Sequence, residues 1–212
     1  MKTLLPLYVH PLAAPAAWTA VAGYPDVTVI VNVHHGPGER RDPTYAHATT
    51  ALASARVPML GYVDVGYAAR PLADLLADVS HWAGYPVRGI FFDQVPTSPF
   101  AIGPVALAIR AARRIGLGEL ILNPGTPPDF SYRRLGATVC SFEGGWDAYQ
   151  AWSGDGAEPG DGHLVYAVPP ADLDRARTLL ATRRAGFGLV SDLPADAPYE
   201  GLPSWCATAV AG

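Results

Sequence analysis

Apolar residues gather along the chain in eight short runs, beginning near Leu4, Val27, Pro58, Gly89, Glu119, Thr138, His163 and Phe187. Each run is bounded by turn residues and rich in β-formers, the pattern of a strand buried on both faces. Most of the intervals carry a different period. Leu72, Leu75, Leu76, Val79 and Trp82 recur at helical steps, with Asp74 and Asp78 placed on the outer face. Asp42 before Pro43 supplies an N-cap and a first-turn proline for a helix running through Ala55. A further helix from Val105 to Ile115 collects Arg110, Arg113 and Arg114 towards its carboxyl end, where cations suit the dipole, and stops at Gly116 and Gly118. Asp172 to Ala185 is amphipathic and closes on Arg183, Arg184 and Gly186. Helices around Asp129 to Arg134 and after Leu202 have room only to be short, and Ser153 to Gly162 reads as a loop.

Strands alternating with helices predict a parallel sheet covered by helices, and eight alternations favour closure over an open sheet. The expectation is an α/β fold, a compact single-domain (β/α)8 TIM barrel occupying residues 1–212. In such a barrel the chemistry lies at the carboxyl ends of the strands. The residues there are unusually polar: Tyr8 and His10, Asn32 with His34 and His35, Tyr62 and Asp64 followed by Tyr67 and Arg70, Asp93 and Gln94, Asn123, Glu143, Tyr166 and Asp192. The run Gly89 to Phe92 ends in Asp93, and Cys140 to Phe142 ends in Glu143. Two carboxyl groups converging on one crevice are the minimal equipment for acid and nucleophile work on a glycosidic bond. A strand-end aspartate also serves as a helix cap, whereas Gly144-Gly145 after Glu143 makes capping a poor account of that residue.

Other chemistries are less well supplied. His34 and His35, adjacent on an extended segment, point in opposite directions and are expected to be loop residues, so no metal site is predicted. Gly116-Leu117-Gly118 follows a helix and precedes a strand, the wrong order for a dinucleotide loop, and the chain has no P-loop, GxSxG or HExxH. No residue calls for a cofactor. Tyr8, Tyr62, Tyr67, Trp146 and Trp152 offer faces suited to sugar rings, and equally to a core.

Composition narrows the partners. The net charge is −4 and Lys2 is the single lysine against 14 arginines, so there is no basic stripe for nucleic acid or an anionic membrane. Neutral or cationic small molecules fit better. Cys140 and Cys206 lie in no CxxC or Cys/His cluster and are expected to be buried thiols. The leader-like start is broken by Pro6, His10 and Pro11, and no run approaches the roughly 18 apolar residues of a membrane span. The expectation is a soluble monomer, cytoplasmic or secreted, without a convincing signal peptide.

Several of these segments together resemble the spherulin-4-like (spherulation-specific) family, related to glycoside hydrolase family 135. The resemblance runs from Leu4 to about Trp152 and rests on Pro6-Leu7-Tyr8-Val9 with Pro11 and Trp18, Asn32 with Gly36-Pro37-Gly38, Asp42-Pro43 with Tyr45, Gly61-Tyr62-Val63 with Tyr67 and Arg70, Gly89-Ile90-Phe91-Phe92-Asp93, Leu122-Asn123-Pro124-Gly125-Thr126, and Phe142-Glu143-Gly144. It implies a (β/α)8 barrel that cleaves α-1,4-linked galactosamine or N-acetylgalactosamine polymers of microbial exopolysaccharide. It also carries catalytic roles onto Asp93 and Glu143; the order assigned from the sequence is Asp93 as nucleophile and Glu143 as acid/base, with the reverse order left open. Tyr8, His10, Asn32, Tyr62, Asp64, Tyr67, Arg70, Gln94, Asn123 and Trp146 are then expected to bind substrate.

The chain departs from the family pattern at Asp93-Gln94, where relatives carry Asp-Glu, near Val65, where they often have threonine, and at His34-His35. The loss of an acid at position 94 motivates an alternative, a barrel that binds saccharide without cleaving it. A polysaccharide deacetylase or lyase is the third reading and requires a metal or another base.

Overall fold

A computed structural model of the chain describes residues 2–24 and 26–207. Eight parallel strands close into a barrel in sequence order: β1 (Lys2–Leu7), β2 (Val27–Val31), β3 (Met59–Asp64), β4 (Gly89–Asp93), β5 (Glu119–Asn123), β6 (Thr138–Gly145), β7 (Gly162–Tyr166) and β8 (Phe187–Val190). β8 closes on β1 by pairing Phe187 with Lys2 and Gly188 with Thr3. Around them run α1 (Pro15–Ala20), α2 (Pro43–Ser54), α3 (Leu72–His81), α4 (Ile102–Arg114), α5 (Phe130–Arg133), α6 (Trp146–Ala151), α7 (Leu173–Thr182) and α8 (Ser204–Ala207). The expected (β/α)8 barrel is the observed fold, with α5 and α8 the short helices. No described helix is long and apolar enough to cross a membrane.

Local chemistry accounts for the elements. β2 and β8 are buried at every position, as strands covered on both faces must be. Asp42 caps α2 by accepting from the Thr44 and Tyr45 amides at 2.8 and 3.0 Å. One expectation fails on α3. Asp78 does not face solvent but turns half-buried towards Arg70, whose Nη1 lies 2.9 Å from its Oδ2.

Two features of the core set the site. Gly61 on β3 lets the Trp82 indole press against the strand; a Cβ there would lie 2.3 Å from the ring. The Trp82 Nε1 then donates to the Tyr62 carbonyl at 2.8 Å and fixes that part of β3. On β6 the register jumps from Cys140 opposite Gly162 to Phe142 opposite His163, leaving Ser141 bulged and its buried Oγ without a partner. A bulge re-aims the residues beyond it. Here those are Phe142, which joins a satellite core with Trp146, Tyr149 and Val165, and Glu143.

Candidate active site

Asp93 ends β4 and Asn123 ends β5, and the two are register partners. Asn123 Nδ2 donates to Asp93 Oδ1 at 2.7 Å and also to Glu143 Oε2, so one amide nitrogen bridges the two acids. Its own carbonyl oxygen accepts from the Gly125 amide at 3.2 Å, which sets the flip of the amide. Gly125, at φ +69°, in turn accepts from the Glu143 amide at 3.1 Å through its carbonyl. The Asn123-Pro124-Gly125 turn therefore holds both the bridge and the backbone of Glu143.

Phenols engage the remaining carboxylate oxygens. Tyr62, from β3, donates to Asp93 Oδ2 at 2.9 Å. Tyr199, from the irregular segment after β8, donates to Glu143 Oε1 at 2.6 Å. Tyr8, just past β1, stands between these rings, edge-on to Tyr62 at 5.6 Å and to Tyr199 at 5.7 Å between centroids. Tyr166 meets the other side of Tyr199 at 6.3 Å.

Burial pushes the Asp93 carboxyl up to about 6, and the neighbouring Glu143 charge pushes the same way, against the bonds from Tyr62, Asn123 and the Gln94 amide. Burial and the same two charges raise the phenols of Tyr8, Tyr62 and Tyr199, so all three remain proton donors at neutral pH.

The other expected site residues divide. Gln94 lies beside Asp93, half-buried, with its backbone in the left-handed region at φ +52°. Its carbonyl accepts from the Tyr67 amide at 2.7 Å. Tyr67 is itself left-handed, at φ +50°, and stands 64% exposed on the rim, within the field of Asp93 and Glu143. Asp64 accepts from the Gly66 amide at 2.7 Å, so one of its oxygens is engaged in the loop that carries Tyr67.

His10, Asn32, Arg70 and Trp146 are not brought to the acids. His10 Nδ1 accepts from the Leu12 amide at 3.2 Å and the ring packs against Tyr45. Asn32 closes its own loop by accepting from the Gly36 amide at 2.9 Å. Arg70 clamps the Asp64 carbonyl and the Asp78 carboxylate. Trp146, expected to stack on a sugar, is 3% exposed in the satellite core, with the Arg175 guanidinium 5.6 Å from its ring. A ring this deeply buried offers no face to a ligand. Asp192, also at a strand end, caps α8 through the Ser204 amide.

Tyr199 was missed because it lies in a proline-broken stretch with no period to place it. Among the described residues no group of three or more His, Cys, Asp or Glu is arranged to hold a metal. Cys140 and Cys206 are free and buried.

Comparison with known proteins bears on this geometry. The model of Spherulation-specific family 4 matches residues 2–211, well past the expected limit at Trp152 and through Tyr199. Spherulin-4 of Physarum polycephalum is 35% identical over 151 residues, which are 68% of this chain and 45% of that protein. The chain thus matches less than half the length of this curated relative. A crystal structure of Aspergillus clavatus Sph3 in complex with GalNAc superposes with a TM-score of 0.84 at 27% identity, covering 99% of this chain and 96% of that one.

Proposed function

The chain belongs to Spherulation-specific family 4, and from that premise we propose that it is a glycoside hydrolase acting on α-1,4-linked galactosamine or N-acetylgalactosamine polymers. The observation that carries this reading is the single amide nitrogen of Asn123 bonded to both Asp93 and Glu143. Two hydrogen bonds diverging from one nitrogen hold their acceptor oxygens roughly 4–5 Å apart. That is closer to the ~5–5.5 Å carboxyl separation of retaining glycosidases than to the ~6.5–9.5 Å that leaves room for a water in inverting ones. The GalNAc bound in the Sph3 crystal supports an amino-sugar ligand.

The environment of Asp93 favours a division of labour opposite to the one assigned from the sequence. Asp93, pushed up to about 6, retains a proton further towards neutrality. It can serve as the general acid, protonating the leaving glycosidic oxygen, while Glu143 attacks the anomeric carbon. In the second half-reaction Asp93 takes a proton from water, which hydrolyses the glycosyl ester on Glu143. Tyr62 and Tyr199 hold the carboxyl groups in register, and exposed Tyr67 offers a face at the rim for a neighbouring sugar.

Mass spectrometry of galactosamine and N-acetylgalactosamine oligomers incubated with the native protein, Asp93→Asn and Glu143→Gln tests the proposal. Shorter products from the native protein alone are expected. Gln94 favours the second reading, a barrel that binds saccharide without cleaving it. Its predicted outcome is saturable oligosaccharide binding with no product at any pH.

A further inference from the structure

All four carboxylate oxygens of the pair have donors: Tyr62 and Asn123 on Asp93, Tyr199 and Asn123 on Glu143. Tyr8 stands in the same mouth between Tyr62 and Tyr199, yet its hydroxyl has no hydrogen-bond partner among the described residues. Its place is fixed by other means. The Tyr8 amide donates to the Tyr199 carbonyl at 3.3 Å, and the ring is engaged edge-on by two neighbours. A rigid ring whose O–H is unspent is a donor held ready for something that enters the cleft. Because both rings that flank it are packed against it, the hydroxyl rather than the aromatic face is what Tyr8 has to offer.

We propose that Tyr8 is a catalytic residue, its hydroxyl donating a hydrogen bond to an oxygen of the sugar ring that sits between Asp93 and Glu143. This rests on the saccharide reading of the cleft. The recipient is the acetamido carbonyl oxygen on C2 of an N-acetylgalactosamine unit, the carbon next to the one where the oxocarbenium-like transition state develops. No proton is transferred. Burial among the two carboxylates keeps the phenol protonated, so the donor is available across the working pH range. Tyr62 and Tyr199 have the same side chain and a different part: each holds a carboxylate, and neither has an O–H left for the substrate.

The hypothesis separates the three tyrosines experimentally. Tyr8→Phe removes no intramolecular bond and is expected to melt within about 1 °C of the native protein, because a surface or unpaired group contributes little to stability. It is expected to bind an α-1,4-linked N-acetylgalactosamine oligomer about 3- to 10-fold more weakly, the loss of one neutral hydrogen bond. Its kcat is expected to fall roughly 10- to 100-fold further, with the pH profile unmoved, since Tyr8 bonds neither acid. Tyr62→Phe, by contrast, removes a bond that lowers Asp93 and shifts the profile to higher pH.

Calorimetric binding, turnover, pH profile and thermal melting of native protein, Tyr8→Phe and Tyr62→Phe decide the matter. Native-like binding and turnover by Tyr8→Phe overturn the proposal, as does a melting loss equal to that of Tyr62→Phe, which makes Tyr8 structural. If the native protein binds the oligomer without cleaving it, the hydrolase reading falls while the binding arm still decides whether Tyr8 donates. If the native protein binds none of these sugars, both readings fall together.

Discussion

Tyr199 donates to Glu143 across 56 residues of sequence, its hydroxyl 2.6 Å from Oε1. The bond ties the irregular segment after β8 to the end of β6 and makes that segment part of the site. Tyr199→Phe removes a hydrogen bond to a charged group, which costs about 2 kcal/mol. In a protein of this size that corresponds to a melting loss of roughly 4–8 °C. Turnover is expected to fall about tenfold as Glu143 loses its fixed orientation. Calorimetric melting and kinetics of the single variant check both numbers.

Asp93→Asn should separate activity from stability. Above its raised value near 6 the buried Asp93 is ionised at a cost. Its rise from 3.8 to about 6 corresponds to about 3 kcal/mol, and losing one accepted bond returns about 1 kcal/mol of it. Asp93→Asn is therefore expected to melt about 4–8 °C above the native protein at pH 8 and to lose polymer turnover. If Asp93 is the acid, the variant still cleaves nitrophenyl glycosides, whose leaving group needs no proton, whereas Glu143→Gln does not. Equal loss on both substrates returns the nucleophile's part to Asp93.

The same carboxyl is expected to set the pH profile. An acid that must be protonated to help the leaving group gives a rate that falls as pH rises through about 6. A nucleophile with that titration gives the opposite limb, a rate that falls as pH drops through it. The direction of the limb in kcat/KM distinguishes the two, and Asn123→Ala, which removes a bond lowering Asp93, is expected to move it to higher pH.

Much of this was legible in the chain because barrel strands are buried on both faces and so stand out as short apolar runs, and because Asp93 closes β4 and Glu143 follows directly on the apolar run of β6, which continues to Gly145. Asp42-Pro43 announced its helix by local chemistry alone. Trp146 was not placed correctly, since an aromatic after Gly144-Gly145 reads the same whether it faces the cleft or the satellite core. Asp78 defeated the helical period because Arg70, from the loop before α3, reaches back for it. Asn123 was visible as a strand-end polar residue, but its bridging of two acids depends on β4, β5 and β6 meeting in space. Long-range pairings of that kind, and Tyr199 above all, leave no spacing to read.

His163 on β7 opposes Asp93 in the acid stability of the fold. It is 1% exposed, its Nδ1 2.7 Å from the Tyr149 hydroxyl, and burial lowers it from 6.5 to about 4. The unfolded chain therefore binds the extra proton between those values, and the stability His163 contributes is present above pH 6.5 and lost as pH falls through 4, by at most about 3 kcal/mol. Asp93 runs the other way, adding stability below its unfolded value of 3.8 and losing it as pH rises through about 6. Melting curves of His163→Gln and Asp93→Asn between pH 4 and pH 7 are expected to diverge from the native curve in opposite senses. Parallel curves would show that neither group titrates with the fold.

Gln94 is expected to bear on how the cleft meets charge. Gln94 follows Asp93 in the chain, is half-buried, and brings an amide where the family resemblance leads one to expect an acid. Gln94→Glu places a further carboxylate near Asp93, raising that group again and drawing a cationic amino sugar more strongly than an N-acetylated one. At an attraction of about 1.4 kcal/mol the ratio of kcat/KM for galactosamine over N-acetylgalactosamine oligomers rises roughly tenfold. That outcome makes Gln94 a determinant of substrate charge in a working hydrolase. A gain of several orders of magnitude on both substrates instead makes the native chain a barrel that binds its saccharide and has lost most of its power to cut it.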